Sequence, residues 1–246
     1  MRRTVSVGSG LVLALIALIA LALLPAPLFA AGGSEESTGE EVAGPSDGSE
    51  SVPEDAQTAV FAGGCFWCME EAYEKVPGVY EAVSGYAGGD VPDPGYYQVV
   101  GGGTGHAEVV RVFYDPDQLD YEDLLYVFWR NVDPLDARGQ FCDRGQSYRT
   151  GIFYRTEEQK RLAEESRREL NESGRFSTDI VTRINPLDVI QGDDNDGFWR
   201  AEENHQDYYL ENPVRYNSYK TACGRVRRLE QLWGDEAGAP SYQKAG

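Results

Sequence analysis

Apolar and polar positions along this chain fall into blocks whose period changes several times. Thr58 to Ala62 is a short apolar run broken by Gly63-Gly64, the pattern of a buried strand entering a turn. Cys65 to Lys75 is built of good helix formers and stops before Pro77-Gly78. Val79 to Tyr86 predicts a second strand. Glu108 to Tyr114 predicts a third, which starts just after residues 87–105, a stretch rich in Gly, Pro and Tyr that reads as a long functional loop. Apolar residues at 124, 125, 128 and 129 give Tyr121 to Asn131 a helical period. Arg149 to Tyr154 predicts another strand, and Glu157 to Ser173 a charged helix closed by Gly174. Thr178 to Ile184 reads as the last strand and Ala201 to Glu211 as a short polar helix. Strands and helices mixed in this way, with no internal repeat, predict an α+β fold, a two-layer α/β sandwich.

The first 56 residues have a different texture. Arg2 and Arg3 precede an uncharged apolar run, Leu11 to Leu24, and Pro25, Pro27, Ala30, Ala31, Gly32 and Gly33 follow it. This is the layout of a secretory signal. Leu11 to Ala31 is also nearly long enough to span a bilayer, and no pair of residues gives a clean A-x-A site, so a retained anchor is the alternative reading. The expectation is a signal peptide or membrane anchor over 1–31, with the rest exported to a periplasmic or extracellular space. Residues 32–56 hold eight acidic residues and no basic one, with almost no large apolar side chain. Such a segment cannot offset its ordering entropy and reads as a disordered acidic linker. The catalytic domain is therefore expected over 57–246. A net charge of −19 excludes nucleic acid and anionic membrane surfaces as partners, because phosphate binding needs clustered Lys and Arg. Four cysteines are too few for a disulfide scaffold of this size, so each one raises a chemical question.

Cys65 stands where a strand turns into a helix. The free N–H groups of a first helical turn, together with the helix dipole, favour an anion there and lower a thiol pKa. Gly63 and Gly64 permit a tight, exposed turn. Phe66 and Trp67 set two aromatic rings beside the sulfur, and such walls suit a methyl or thioether group. The bland readings are a small inert buried cysteine and two ordinary core aromatics.

From about Ala59 to Trp233 the chain resembles the peptide methionine sulfoxide reductases of the A type. The resemblance rests on an ordered set of motifs. Gly63-Gly64-Cys65-Phe66-Trp67 comes first, then Pro77-Gly78-Val79, Gly85-Tyr86-Ala87-Gly88-Gly89 and Pro94-Gly95-Tyr96. Gly103-Thr104-Gly105-His106-Ala107-Glu108, Tyr114-Asp115-Pro116, Asp133-Pro134, Asp143-Arg144-Gly145 and Gln146-Ser147-Tyr148-Arg149 continue it. His205-Gln206-Asp207-Tyr208-Tyr209 and Asn212-Pro213 close it. The resemblance implies a ferredoxin-like core with a mixed sheet and a long coiled C-terminal tail. It implies reduction of methionine S-sulfoxide, free or in proteins, by a Cys65 nucleophile with no cofactor and no metal. It also implies Glu108 as the acid, Tyr96 and Tyr148 as phenols on the sulfoxide oxygen, and Asp143 as a positional carboxylate. Phe66 and Trp67 hold the substrate. The product at Cys65 would be a sulfenic acid, which a second thiol resolves to a disulfide. A thioredoxin or thioredoxin-like reductant then recycles the enzyme, which is expected to be a monomer. The chain departs from the commonest family pattern at Cys68, Cys142 and Cys223. Cys223 is the preferred resolver, since a tail beyond the last helix can move. Cys68 and Cys142 remain open, and Cys68 lies one turn from Cys65, in reach only if that turn departs from a helix.

Three competing readings are weaker. Cys65-Phe66-Trp67-Cys68 as a thioredoxin-like C-x-x-C would leave Glu108 and the Gly/Tyr loop without a role. A four-thiolate zinc site has only one C-x-x-C pair. Gly101-Gly102-Gly103-Thr104-Gly105 looks like a phosphate loop but lacks the Gly-Lys-Ser/Thr ending. His106 is expected to structure its loop, and His205 to belong to a local hydrogen-bond network.

Overall fold

The computed structural model describes residues 52–188 and 195–238. The predicted N-terminal signal or anchor, and the linker as far as residue 51, lie outside them. The strands are β1 (Gln57–Gly63), β2 (Val79–Ala87), β3 (Ala107–Tyr114), β4 (Gly139–Gln140), β5 (Asp143–Arg144), β6 (Thr150–Tyr154), β7 (Arg183–Pro186) and β8 (Phe198–Arg200). The helices are α1 (Phe66–Glu74), α2 (Tyr96–Val100), α3 (Tyr121–Arg130), α4 (Glu157–Glu172), α5 (Tyr208–Glu211), α6 (Pro213–Ala222) and α7 (Arg225–Trp233). Six strands form one sheet in the order β7-β6-β1-β3-β2-β8, while β4 and β5 pair as a separate hairpin. β6 and β7 run parallel and the other pairs of the large sheet antiparallel, so the sheet is mixed and the fold α+β.

β1 is central, and both its faces are covered. Ala59 and Phe61 point into the larger core, where the Phe61 ring stacks on Tyr73 of α1 at 5.2 Å and on Phe128 of α3 at 5.3 Å. Val60 and Ala62 point into a smaller cluster with Val83, Val109, Phe153 and Phe198. Alternate side chains of a strand face opposite ways, so burial on both faces produces the continuous apolar run seen in the sequence. Gly64 ends the strand at φ +85°, and a Cβ there would lie 2.5 Å from the Gln140 Cβ. The turn needs glycine for both its sign and its space.

Several elements differ from expectation. The loop 87–105 contains α2, started at Gly95, whose N–H is bonded by the Gln98 side chain at 2.8 Å. The last predicted strand begins later, at Arg183, because Val181 donates instead to Pro134 O at 2.8 Å. β8 is a three-residue edge strand, too short to show a period. The helix expected over Ala201 to Glu211 is a 3-10 turn, Glu203–His205, followed by α5, with Asp207 at φ +51° between them. The tail expected as a long coil is helical. α6 and α7 meet at Gly224, φ +73°, and α7 buries Arg225, Leu229 and Trp233 on one face. Trp233 Nε1 donates to Val132 O at 3.1 Å, tying the tail to the core. Arg and Glu dominate α7, so its narrow apolar stripe is hard to see in the sequence.

Candidate active site

Cys65 is the N-cap of α1, with φ −54° and ψ 118°, just outside the helix. The first-turn N–H of Phe66 does not face the sulfur. It donates to Glu108 Oε2 at 3.0 Å, which joins the start of α1 to β3. Cys65, Phe66, Trp67, Tyr96, Glu108, Asp143 and Tyr148, seven of the residues singled out in the sequence, line one cavity of about 70 Å³. Tyr219 of α6 completes it. Five of the sequence motifs and the tail thus converge on one cavity.

The aromatic side of the cavity is a connected stack. Trp67 lies flat on Tyr208 at 3.7 Å, with an interplanar angle of 9°, and its Nε1 donates to His205 Nδ1 at 3.3 Å. His205 also packs against Phe66 at 5.2 Å and Tyr96 at 4.4 Å. His205 therefore serves a local network, as expected. His106 structures the Gly-rich loop: Gly89 N–H donates to its Nδ1 at 3.2 Å and its Nε2 bonds Val91 O at 2.7 Å. Burial depresses the pKa of both rings. Glu202 positions the phenol side, accepting from Tyr96 N–H at 2.7 Å and Tyr86 O–H at 2.8 Å.

The oxygen side is a set of acids whose pKa values burial raises. Glu108 is 2% exposed, and its burial pushes the carboxyl well above the usual range, against the pull of the Phe66 N–H. Asp143 and Cys68 push it the same way. Burial also raises Tyr96, Tyr148 and Asp143. Three O–H donors thus face a sulfur, an arrangement suited to protonating an oxygen that is gaining charge. Tyr219 O–H donates to Asp143 Oδ2 at 2.5 Å and lies against Cys65, whose pKa it lowers while burial raises it. Tyr219 was not found in the sequence, because nothing distinguishes it among 15 tyrosines.

The cysteines differ from expectation. Cys142 and Cys223 form a disulfide with Cα atoms 4.9 Å apart, while Cys65 and Cys68 are free and buried. Cys223 caps α6 and is not in a loose tail. Cys65 is an N-cap outside the helix, Cys68 N–H donates to its carbonyl at 3.1 Å, and the two thiols titrate against each other. Cys68 is drawn down to about 6, first by the S–H of Cys65 and, against burial, by Arg225, Tyr216 and Lys220. We read the pair as one unit that loses its first proton below the ordinary thiol range and shares the second. Cys142, Asp143 and Cys223 are the one group of potential metal ligands among the described residues, and the disulfide occupies both thiols.

Comparison with known proteins agrees with this geometry. The family model described as peptide methionine sulfoxide reductase matches residues 57–237. The peptide methionine sulfoxide reductase MsrA of Bacillus subtilis is 45% identical over 183 residues, 74% of this chain and 99% of the relative. That of Halalkalibacterium halodurans is 47% identical over 178 residues, 72% of this chain and 97% of the relative. Methionine sulfoxide reductase A of Corynebacterium diphtheriae superposes with a TM-score of 0.57 at 28% identity, covering 66% of this chain and 77% of its own. Reduced Mxr1 of Saccharomyces cerevisiae superposes with a TM-score of 0.56 at 32% identity, covering 65% of this chain and 88% of its own. The chain belongs to the peptide methionine sulfoxide reductase family, and its chemistry is the thiol-dependent reduction of methionine sulfoxide.

Proposed function

We propose that the enzyme reduces the S epimer of methionine sulfoxide, with Cys65 as nucleophile and Cys68 as resolving thiol. The observation that carries this reading is the cavity that Cys65 shares with the rings of Phe66 and Trp67 and with Glu108, Tyr96 and Tyr148. A chiral sulfoxide fits such a cavity in one hand, methyl against Phe66 and Trp67, oxygen toward the donors. The Cys65 thiolate attacks sulfur and takes over the oxygen, Glu108 supplies one proton, and methionine leaves with Cys65 as a sulfenic acid. Asp143 holds Tyr219 in place. The Cys68 thiol then displaces water to give a Cys65–Cys68 disulfide, and a thioredoxin-type dithiol reduces it.

Cys142–Cys223 serves in this reading as a clamp between the β4–β5 hairpin and the α6–α7 junction. Such a bond suits export to an oxidising compartment, the localisation the apolar run 11–31 and the acidic linker support. The inner strand order β6-β1-β3-β2, with α1 and α3 as its crossovers, supports a ferredoxin-like core for the fold. Repair of oxidised proteins by a monomer is the corresponding physiological role.

The test uses the two separated epimers with dithiothreitol, then the cysteine variants with thioredoxin. The S epimer alone should be reduced. Cys65→Ser should be inert, Cys68→Ser should form one equivalent of methionine and stop, and Cys142→Ser/Cys223→Ser should keep cycling. Comparable rates on both epimers, or a double variant that stalls after one equivalent, would overturn the stereochemistry or the choice of resolver respectively.

A further inference from the structure

Arg225 is 3% exposed, on the first turn of α7. Its guanidinium donates to Asn131 O at 2.6 Å and to Gly63 O at 2.9 Å, and stands 4.0 Å from the Met69 sulfur. Its flat face covers the Phe141 ring at 4.4 Å. Among the described residues it makes no ion pair. A guanidinium stays charged, so a buried one without a carboxylate leaves a large desolvation cost to be offset by some other negative group.

The groups around the dithiol show which one. α1 contributes Glu71, β3 Glu108, β5 Asp143, α2 Tyr96, and α6 Tyr216, Tyr219 and Lys220. Lys220 pairs with Glu71, which also binds Lys75 at 2.6 Å and Tyr216 at 2.5 Å. Glu108 is held protonated by burial. The charges that act most on Arg225 belong to Cys68 and Cys65, and Arg225 in turn lowers the carboxyl of Asp143. Arg225 is thus a buried cation that lines one cavity with Cys68 and forms no ion pair among the described residues, and it is bonded to the carbonyl two residues before Cys65.

We propose that Arg225 is a positioning residue whose unmatched charge stabilises the thiolate shared by Cys65 and Cys68, so that the tail forms the electrostatic floor of the active site. This rests on the reading of that pair as the reacting thiols. It also gives the tail a fixed role: a segment that carries the thiolate's counter-charge stays in place during turnover.

The test is the pH dependence of alkylation by iodoacetamide, read at Cys65 and Cys68 by mass spectrometry, in the full chain without any sulfoxide. An adjacent opposite charge shifts a pKa by about 1–3 units. Arg225→Gln should move the alkylation midpoint up by that amount and slow labelling at pH 7 by about tenfold or more. Single-turnover reduction should fall in parallel and recover on raising the pH to 9, as a misfolded site would not. Arg225→Lys, with the charge kept, should stay within about one unit of the parent. A Gln midpoint equal to the parent's overturns the proposal, as does a Lys variant displaced as far as Gln. If the Gln variant does not fold, the Lys midpoint decides: within that limit it supports the proposal, beyond it the proposal fails. A parent that alkylates with a low midpoint yet reduces no sulfoxide would instead sink the catalytic reading.

Discussion

Replacing both Cys142 and Cys223 by serine removes a bond that spans 81 residues of sequence. On the chain-entropy account, an open loop of that length in the unfolded state is worth about 4.5 kcal/mol at 25 °C, and native bonds usually cost about 2–5 kcal/mol when lost. The folded contacts around the bond are few. Cys142 is exposed and its N–H points at the Cys223 sulfur at 3.1 Å, so serine at both sites leaves little strain or cavity. The tail keeps its other anchors, Arg225 and Trp233. The loss should therefore come mainly through the unfolded state. For a domain of this size, that is a fall in Tm of about 5–15 °C. Differential scanning calorimetry of the variant and the oxidised parent checks the Tm. Urea unfolding gives the free energy, and a larger m-value is expected for the variant, since its unfolded chain exposes more surface. Thioredoxin-driven turnover at 25 °C should be nearly unchanged. A variant within about 0.5 kcal/mol of the parent would refute the clamp, since even the smallest usual effect is larger.

Glu108→Gln should slow single-turnover reduction by about 10²-fold, in the range for a lost general acid, with iodoacetamide labelling of Cys65 retained; rapid-quench methionine formation measures it. Stability should also fall as the solution turns alkaline. Burial, reinforced by Glu74, lifts Glu70 from 4.5 to about 8, so the folded state holds a proton that the unfolded state has released. That contribution is complete below about pH 4.5 and lost as pH rises through about 8. Glu70→Gln should flatten the fall in urea midpoint between pH 5 and 8, and an unchanged slope would assign it to other groups.

The sequence was most informative where burial is two-sided or where a turn is demanding. β1 was legible because Ala59, Val60, Phe61 and Ala62 are all fully buried, and α1 because Gly63-Gly64 and Pro77-Gly78 bracket it. Seven cavity residues were legible through their motifs. What stayed hidden depends on contacts distant in the chain. Tyr219, Glu202 and Arg225 act through Asp143, Tyr96 and the Gly63 carbonyl, and no local pattern marks a tyrosine, glutamate or arginine for such work. The helix formers from Cys65 to Lys75 do not show that Cys65 stands outside α1 as its N-cap. One residue of difference at an N-cap changes which sulfurs meet. The helical tail around Cys223 stayed hidden because α7 has too narrow an apolar stripe to announce a helix.

The two histidines bear on the substrate wall in another way. In each ring Nδ1 accepts a hydrogen bond from a fixed donor, Trp67 Nε1–H for His205 and Gly89 N–H for His106. An imidazole can accept there only while Nδ1 carries no hydrogen, so both rings are fixed as the neutral Nε2–H tautomer. Protonating His205 would turn its Nδ1 into a second donor facing the indole N–H, and Trp67 or His205 would have to rotate. The flat Trp67–Tyr208 stack against which the methyl group rests would open with it. Acid therefore reaches the shape of the pocket through a ring that takes no part in the chemistry, and the burial that lowers the His205 pKa protects the substrate wall against it.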